Sequence, residues 1–264
     1  MRISGKAGAA ACTALPADPA VYDRPVIGIV SHPGDGAGGR INNTTATSYI
    51  AGSYVKFLEA GSAGVIPIIY NEPEEQLLEK LSLVNGVLFT GGSAKRGLYF
   101  ETIKKVFQYV LDKNDAGEQF PLFAQCLGFE LVSMIVSKDN NILEKFDALN
   151  QTSTLQFPSY DFEGSVFQSM VYHQGDCKRT MHCQVYVSTV QAHNYPITCT
   201  QWHPEKAIFE WKNPVIPHSE DAVQASQQFA NHFISQARKS PNRPPADKVL
   251  DNLIYNYSPT GKIL

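Results

Sequence analysis

Short unbroken apolar runs alternate along this chain with longer stretches whose apolar residues return at helical spacing. Residues 25–30 (Pro25-Val26-Ile27-Gly28-Ile29-Val30), 64–69, 84–90 and 121–125 are runs of the first kind. Strands that read this way are buried on both faces, as in a parallel sheet. Between them lie stretches of the second kind. Residues 45–60 place Tyr49, Ile50, Tyr54, Phe57 and Leu58 at helical spacing, with Gly61 suited to the C-terminal cap. Residues 73–81 predict a short acidic helix with Pro73 at its first turn. Residues 98–112 and 127–137 predict two more helices. Four strand–helix alternations in succession predict an α/β fold, a parallel-rich central sheet with helices on both faces.

Past residue 141 the pattern blurs. Residues 154–157 and 165–168 are candidate short strands, 185–190 alternates as a strand should, and 196–202 forms another that leads into His203. A long helix is expected over 220–238, capped by Ser219 with Glu220 and Asp221 in its first turn. Residues 240–245 are proline-rich and predict a rigid extended linker. The chain therefore divides into a leader or disordered segment (1–24), one domain (25–240) and an extended tail (241–264).

Composition narrows the class. Of 264 residues, 43% are hydrophobic and the formal net charge is -3, which suits a globular protein with a substantial core. No basic cluster interleaved with aromatics is present, so a nucleic-acid partner is not expected. No apolar run reaches the length of a membrane span. The first residues, charged and then rich in alanine, read as a weak secretory leader. Acceptor triplets for N-glycosylation begin at Asn42, Asn43, Asn150 and Asn256. The five cysteines, an odd number, leave at least one free thiol, expected to be Cys126.

Cys126 carries the candidate chemistry. It stands where a buried strand turns into a helix, and the positive end of a helix favours a thiolate. Downstream, His203 supplies an imidazole and Glu205 a carboxylate to orient it, the arrangement that activates a nucleophile. Gly91-Gly92 also ends a strand, and sites in such sheets lie at the carboxyl ends of strands. His173, Cys177, His182 and Cys183 are close in sequence but match no common zinc spacing. Cys199 lies in an apolar strand and is expected in the core, as are Tyr49, Tyr54 and Phe57.

Four motifs together resemble gamma-glutamyl hydrolases, most of all the plant members. They are Phe89-Thr90-Gly91-Gly92-Ser93-Ala94-Lys95, Cys126-Leu127-Gly128-Phe129-Glu130, Gln201-Trp202-His203-Pro204-Glu205-Lys206 and Ile216-Pro217-His218-Ser219-Glu220-Asp221. The resemblance implies a class I glutamine amidotransferase-like, flavodoxin-like three-layer fold. It implies hydrolysis of folyl and antifolyl poly-γ-glutamates through a thioester, with no metal or organic cofactor. In that reading Cys126 is the nucleophile, His203 the general base and Glu205 the acidic third member. The amides of Gly92 and Leu127 form the oxyanion hole. The resemblance further implies a homodimer in the vacuole or extracellular space.

The chain departs from the family over residues 168–184, where members carry a longer stretch with a cleft histidine; His173 is the candidate replacement. Ala124 stands where many nucleophile elbows have glycine, and Gly64 where the family usually has arginine. Two alternatives follow: a weak or inactive isoform lacking part of the cleft, and a glutaminase-type amidotransferase domain.

Overall fold

The computed structural model describes residues 21–34, 48–145 and 187–259. In chain order the first half comprises β1 (Val26–Val30), β2 (His32–Pro33), β3 (Ser48–Tyr49), α1 (Gly52–Ala60), β4 (Gly64–Ile68), α2 (Glu74–Ser82), β5 (Gly86–Phe89) and α3 (Gly97–Asp115). Then follow β6 (Leu122–Gln125), α4 (Leu127–Ser137), β7 (Thr189–Gln191), β8 (Ile197–Thr200), α5 (Lys206–Phe209), α6 (Glu220–Arg238) and α7 (Ala246–Asn252). The main sheet has the order β4-β1-β5-β6-β8-β7. All its pairings are parallel except that of β7 on β8. The two-residue strands β2 and β3 pair antiparallel beside it.

Alternation along each strand divides the core in two. Val26 and Val30 of β1, Val87 and Phe89 of β5, and Leu122 and Ala124 of β6 face the side covered by α2, α3 and α4. Ile27, Ile29, Leu88 and Phe123 face the side covered by α1 and α6. This is the expected three-layer α/β fold, and it explains why the strands read as unbroken apolar runs. Phe123 anchors the second layer. It is 1% exposed, and its ring meets Phe57, Phe229 and Phe233 at centroid distances of 5.9, 5.9 and 5.6 Å.

Two elements differ from the reading of the sequence. The helix expected over 45–60 begins only at Gly52, because Ser48 and Tyr49 pair with Pro33 and His32 in a strand ribbon. Cross-strand pairing there overrides the helical spacing. The tail expected to run extended contains α7, which packs against edge strand β4. Its approach is fixed by polar contacts. The Asn242 amide donates to the carbonyls of Ser82 and Val84, and its own carbonyl accepts from Asn85 Nδ2 at 2.9 Å. Covering β4 in this way protects an edge that would otherwise offer unpaired backbone groups. The candidate strands at 154–157 and 165–168 lie outside the described residues. No helix among the described residues is long and apolar enough to cross a membrane.

Truncating a buried aromatic at the centre of such a cluster costs about 3–5 kcal/mol. Phe123→Ala is expected to lower unfolding stability by that amount in urea denaturation, and Phe123→Leu by clearly less.

Candidate active site

The carboxyl ends of β5, β6 and β8 bring Gly91-Gly92, Cys126 and His203 to one end of the sheet, where they line one cleft. Cys126 occupies φ 52°, ψ -109°, a conformation that L-residues rarely adopt. Such strain costs about 1–3 kcal/mol and persists only where neighbours enforce it. Two hydrogen bonds do so here. The Cys126 N–H donates to the Thr200 carbonyl at 2.7 Å, and the Gly128 N–H donates to the Thr90 carbonyl at 3.2 Å. The elbow is thus stitched to the strand on each side of β6. Gly128 makes the second stitch feasible, since a Cβ there would lie 2.7 Å from the Phe89 carbonyl oxygen. Ala124, buried one residue before Gln125, does not prevent the elbow from forming.

His203 and Glu205 follow β8. Glu205 is fully buried, and its Oε1 lies 2.7 Å from His203 Nδ1. With Nδ1 committed to Glu205, Nε2 is the nitrogen left for Cys126, which lines the same cleft. Burial opposes protonation of this ring. The Glu205 carboxylate first, and the neighbouring Cys126 after it, outweigh that opposition and raise the His203 pKa to about 10. The loop is held from behind by α6, whose buried Ser226 hydroxyl donates to the Pro204 carbonyl at 2.6 Å. At neutral pH the ring is therefore an imidazolium facing the thiol.

The amides around the cleft are sorted by their partners. The Gly91 N–H donates to the Tyr54 hydroxyl at 2.8 Å, and the Ser93 and Ala94 N–H groups donate to His32 Nε2 at 3.1 and 3.2 Å. The Gly92 N–H between them has no acceptor among the described residues. Likewise the Cys126 and Gly128 amides are engaged, while the Leu127 N–H has no acceptor among the described residues. Two unpaired donors thus flank the thiol, as stabilising a developing oxyanion requires.

The structure brings Cys126, His203, Glu205, Gly92 and Leu127 together. His173 lies outside the described residues, as do Cys177, His182 and Cys183. Cys199 is buried in β8, and burial pushes its thiol up to about 12, which suits an inert core residue. Tyr54 was expected only to pack. Its ring is buried, but its hydroxyl accepts from Gly91 and lies 3.4 Å from His203 Nδ1. Burial first, then the Glu205 charge, holds its pKa well above the usual phenol range, so it stays a neutral phenol. Reading the sequence also passed over His32. The signal was available: His32 follows β1 by two residues, at a carboxyl strand end where this class of sheet builds its sites.

Fold and site together define an α/β protein of the class I glutamine amidotransferase-like kind with a cysteine at a strand–helix elbow, and residues 25–138 match the family Peptidase C26. The chain is 52% identical to Gamma-glutamyl hydrolase 2 of Arabidopsis thaliana over 92% of its own length and 80% of that protein. It is 45% identical to Gamma-glutamyl hydrolase of Glycine max over 94% of this chain and 83% of that one. With the Homo sapiens protein of the same name, identity is 28% over 91% of this chain and 87% of that one. The chain belongs to the gamma-glutamyl hydrolase family.

The folded-state pKa of His203 lies above its ordinary 6.5, which sets a sign for stability. The stabilisation from its pairing is fully present below pH 6.5 and is lost as pH rises through about 10. Glu205→Gln removes the main attraction. An NMR titration of the His203 ring is expected to show a midpoint near 10 in the unaltered chain and a much lower one in Glu205→Gln. Unfolding stability of the unaltered chain relative to that variant should shrink over the same pH window.

Proposed function

We propose that this chain is a cysteine-dependent γ-glutamyl hydrolase acting on folyl and antifolyl poly-γ-glutamates. The observation that carries the reading is the Cys126 thiol at a strand–helix elbow, lining one cleft with an imidazole whose Nδ1 lies 2.7 Å from a fully buried Glu205. Family membership and the names of the relatives support the γ-glutamyl bond as the one cleaved. The folate portion rests on the resemblance of the motifs.

In this mechanism the Cys126 thiolate attacks the γ-carbonyl carbon, and the carbonyl electron pair moves onto oxygen. The Gly92 and Leu127 amides receive that oxyanion; one such donor contributes about 3 kcal/mol at the transition state. As the tetrahedral intermediate collapses, the C–N bond breaks and His203 gives its proton to the departing α-amine. A thioester and a neutral imidazole remain. Water then gives a proton to His203 and adds to the thioester, and the C–S bond breaks to restore the thiolate–imidazolium pair and release a γ-carboxylic acid, which loses its proton to solvent. Glu205 stabilises the imidazolium in both halves without taking up a proton itself.

The cleft lining includes Lys206 together with the carboxylates of Glu205 and Glu210. Every γ-linked glutamate retains a free α-carboxylate. Lys206 lines the cleft beside the dyad, and among the described residues its ammonium is paired with no carboxylate. A lysine so placed can receive an α-carboxylate near the scissile bond.

A second reading, a weak or inactive form, is favoured by one observation. The alignment with the Arabidopsis thaliana relative runs over 279 positions, more than the 264 residues of this whole chain, so that relative carries residues this chain lacks. The motif resemblance puts the difference near residues 168–184, around His173. The resemblance also supports a homodimer in the vacuole or extracellular space.

Purified protein is expected to release glutamate from folyl pentaglutamate, and Cys126→Ala to abolish that release. Lack of release from well-folded unaltered protein would decide for the inactive form, and glutamine hydrolysis in its place would decide for the glutaminase alternative. Losing one charged contact of about 1.5–3 kcal/mol, Lys206→Met should raise KM tenfold or more with little change in kcat.

A further inference from the structure

Gly92 sits in a loop that two side chains hold from either side. Tyr54 takes the Gly91 amide, and His32 takes the next two amides after Gly92. Backbone N–H groups can only donate, so His32 Nε2 must carry a lone pair and no proton. The ring proton therefore resides on Nδ1, which lies 2.7 Å from the Pro33 carbonyl oxygen and donates to it. His32 is a neutral ring in one tautomer, with both nitrogens committed.

The ring is also fixed mechanically. It is 1% exposed, and its edges meet the rings of Tyr49 and Tyr99 at centroid distances of 5.5 and 5.1 Å. Its backbone pairs with Tyr49 in the ribbon of β2 and β3. Its ring lies flush against Gly92, where an added Cβ would come within 2.2 Å of it, and Gly92 has φ 155°. The Gly92 amide is thus the unpaired member of a run whose neighbours are tethered and whose face is pressed by the same imidazole.

We propose that His32 is a positioning residue for γ-glutamyl hydrolysis: by accepting the Ser93 and Ala94 amides on Nε2, it aims the Gly92 N–H at the site where the oxyanion forms. The proposal rests on the reading of Cys126 as nucleophile and Gly92 as oxyanion donor. His32 touches no reacting atom. Its effect falls on the transition state, because a misaimed amide weakens a contact that is strongest when charge has developed on oxygen.

The test compares His32→Phe, which fills the space without an acceptor, with His32→Gln, whose amide oxygen can accept. Each is assayed for folyl pentaglutamate hydrolysis and for affinity toward a γ-glutamyl aldehyde, which Cys126 captures as a tetrahedral oxyanion. His32→Phe is expected to lower kcat roughly 10- to 100-fold with KM changed less than about twofold. Aldehyde affinity should fall by a similar factor, while the rate of Cys126 alkylation by iodoacetamide should be retained. His32→Gln should recover most of the loss. Full aldehyde affinity in His32→Phe, or an alkylation rate that falls as far as kcat, would overturn the proposal. Absence of aldehyde capture by the unaltered chain, or capture retained in Cys126→Ala, would instead overturn the underlying reading of the site.

Discussion

The site depends on a backbone conformation that Cys126 would not adopt by itself. At φ 52° the residue leaves β6 and starts α4 with no intervening loop, which places its thiol at the head of a helix and above the sheet edge. The strain is held by the carbonyls of Thr90 and Thr200, contributed by the chain leaving the strands on either side. Because β5, β6 and β8 run parallel in adjacent positions, those two carbonyls arrive on the same side of the sheet. Packing of Phe123 against α1 and α6, three residues before the thiol, resists any shift of β6 that would release the elbow.

Electrostatics follows from the same placement. Glu205 is buried completely, which is costly for a carboxylate unless a partner compensates. His203 is that partner, and the mutual attraction is what keeps its ring charged despite burial. Each member of this pair makes the other's burial tolerable. Around them the neutral groups Tyr54 and His32 add no charge to the cleft. They take up the amides of Gly91, Ser93 and Ala94. The cleft then presents the Cys126 thiol and the Leu127 N–H from the β6–α4 elbow, the Gly92 N–H from the loop after β5 and the His203 ring from the loop after β8, the two N–H groups having no acceptor among the described residues.

Much of this was legible in the chain because it is local. Runs such as Pro25 to Val30 announce doubly buried strands, and Ser219 with Glu220 and Asp221 announces the start of α6, whose Ser219 hydroxyl does accept the Ala222 amide. The pairing of Cys126 with His203 was suggested by motifs standing at strand ends. Less local features escaped. The helical spacing of Tyr49 and Ile50 lost to cross-strand pairing of Tyr49 with His32, a partner whose position no local pattern encodes. The proline-rich stretch before α7 read as a rigid extended linker, and no local pattern foretold that Asn242 binds it to the carbonyls of Ser82 and Val84 ahead of β5.

By itself the sequence determined the order of the parallel strands and the helices between them, the elbow position of Cys126, and the spacing of His203 and Glu205, since each is written in contiguous residues and short-range backbone preferences. Only the tertiary structure decided which amides are spoken for and which stay free. That depends on Tyr54, carried by α1, and on His32, beyond the end of β1, reaching the loop after β5 from elements far off in the chain. It likewise decided that Glu205 is buried and His203 charged, because desolvation and the distance between charges exist only once the layers have packed.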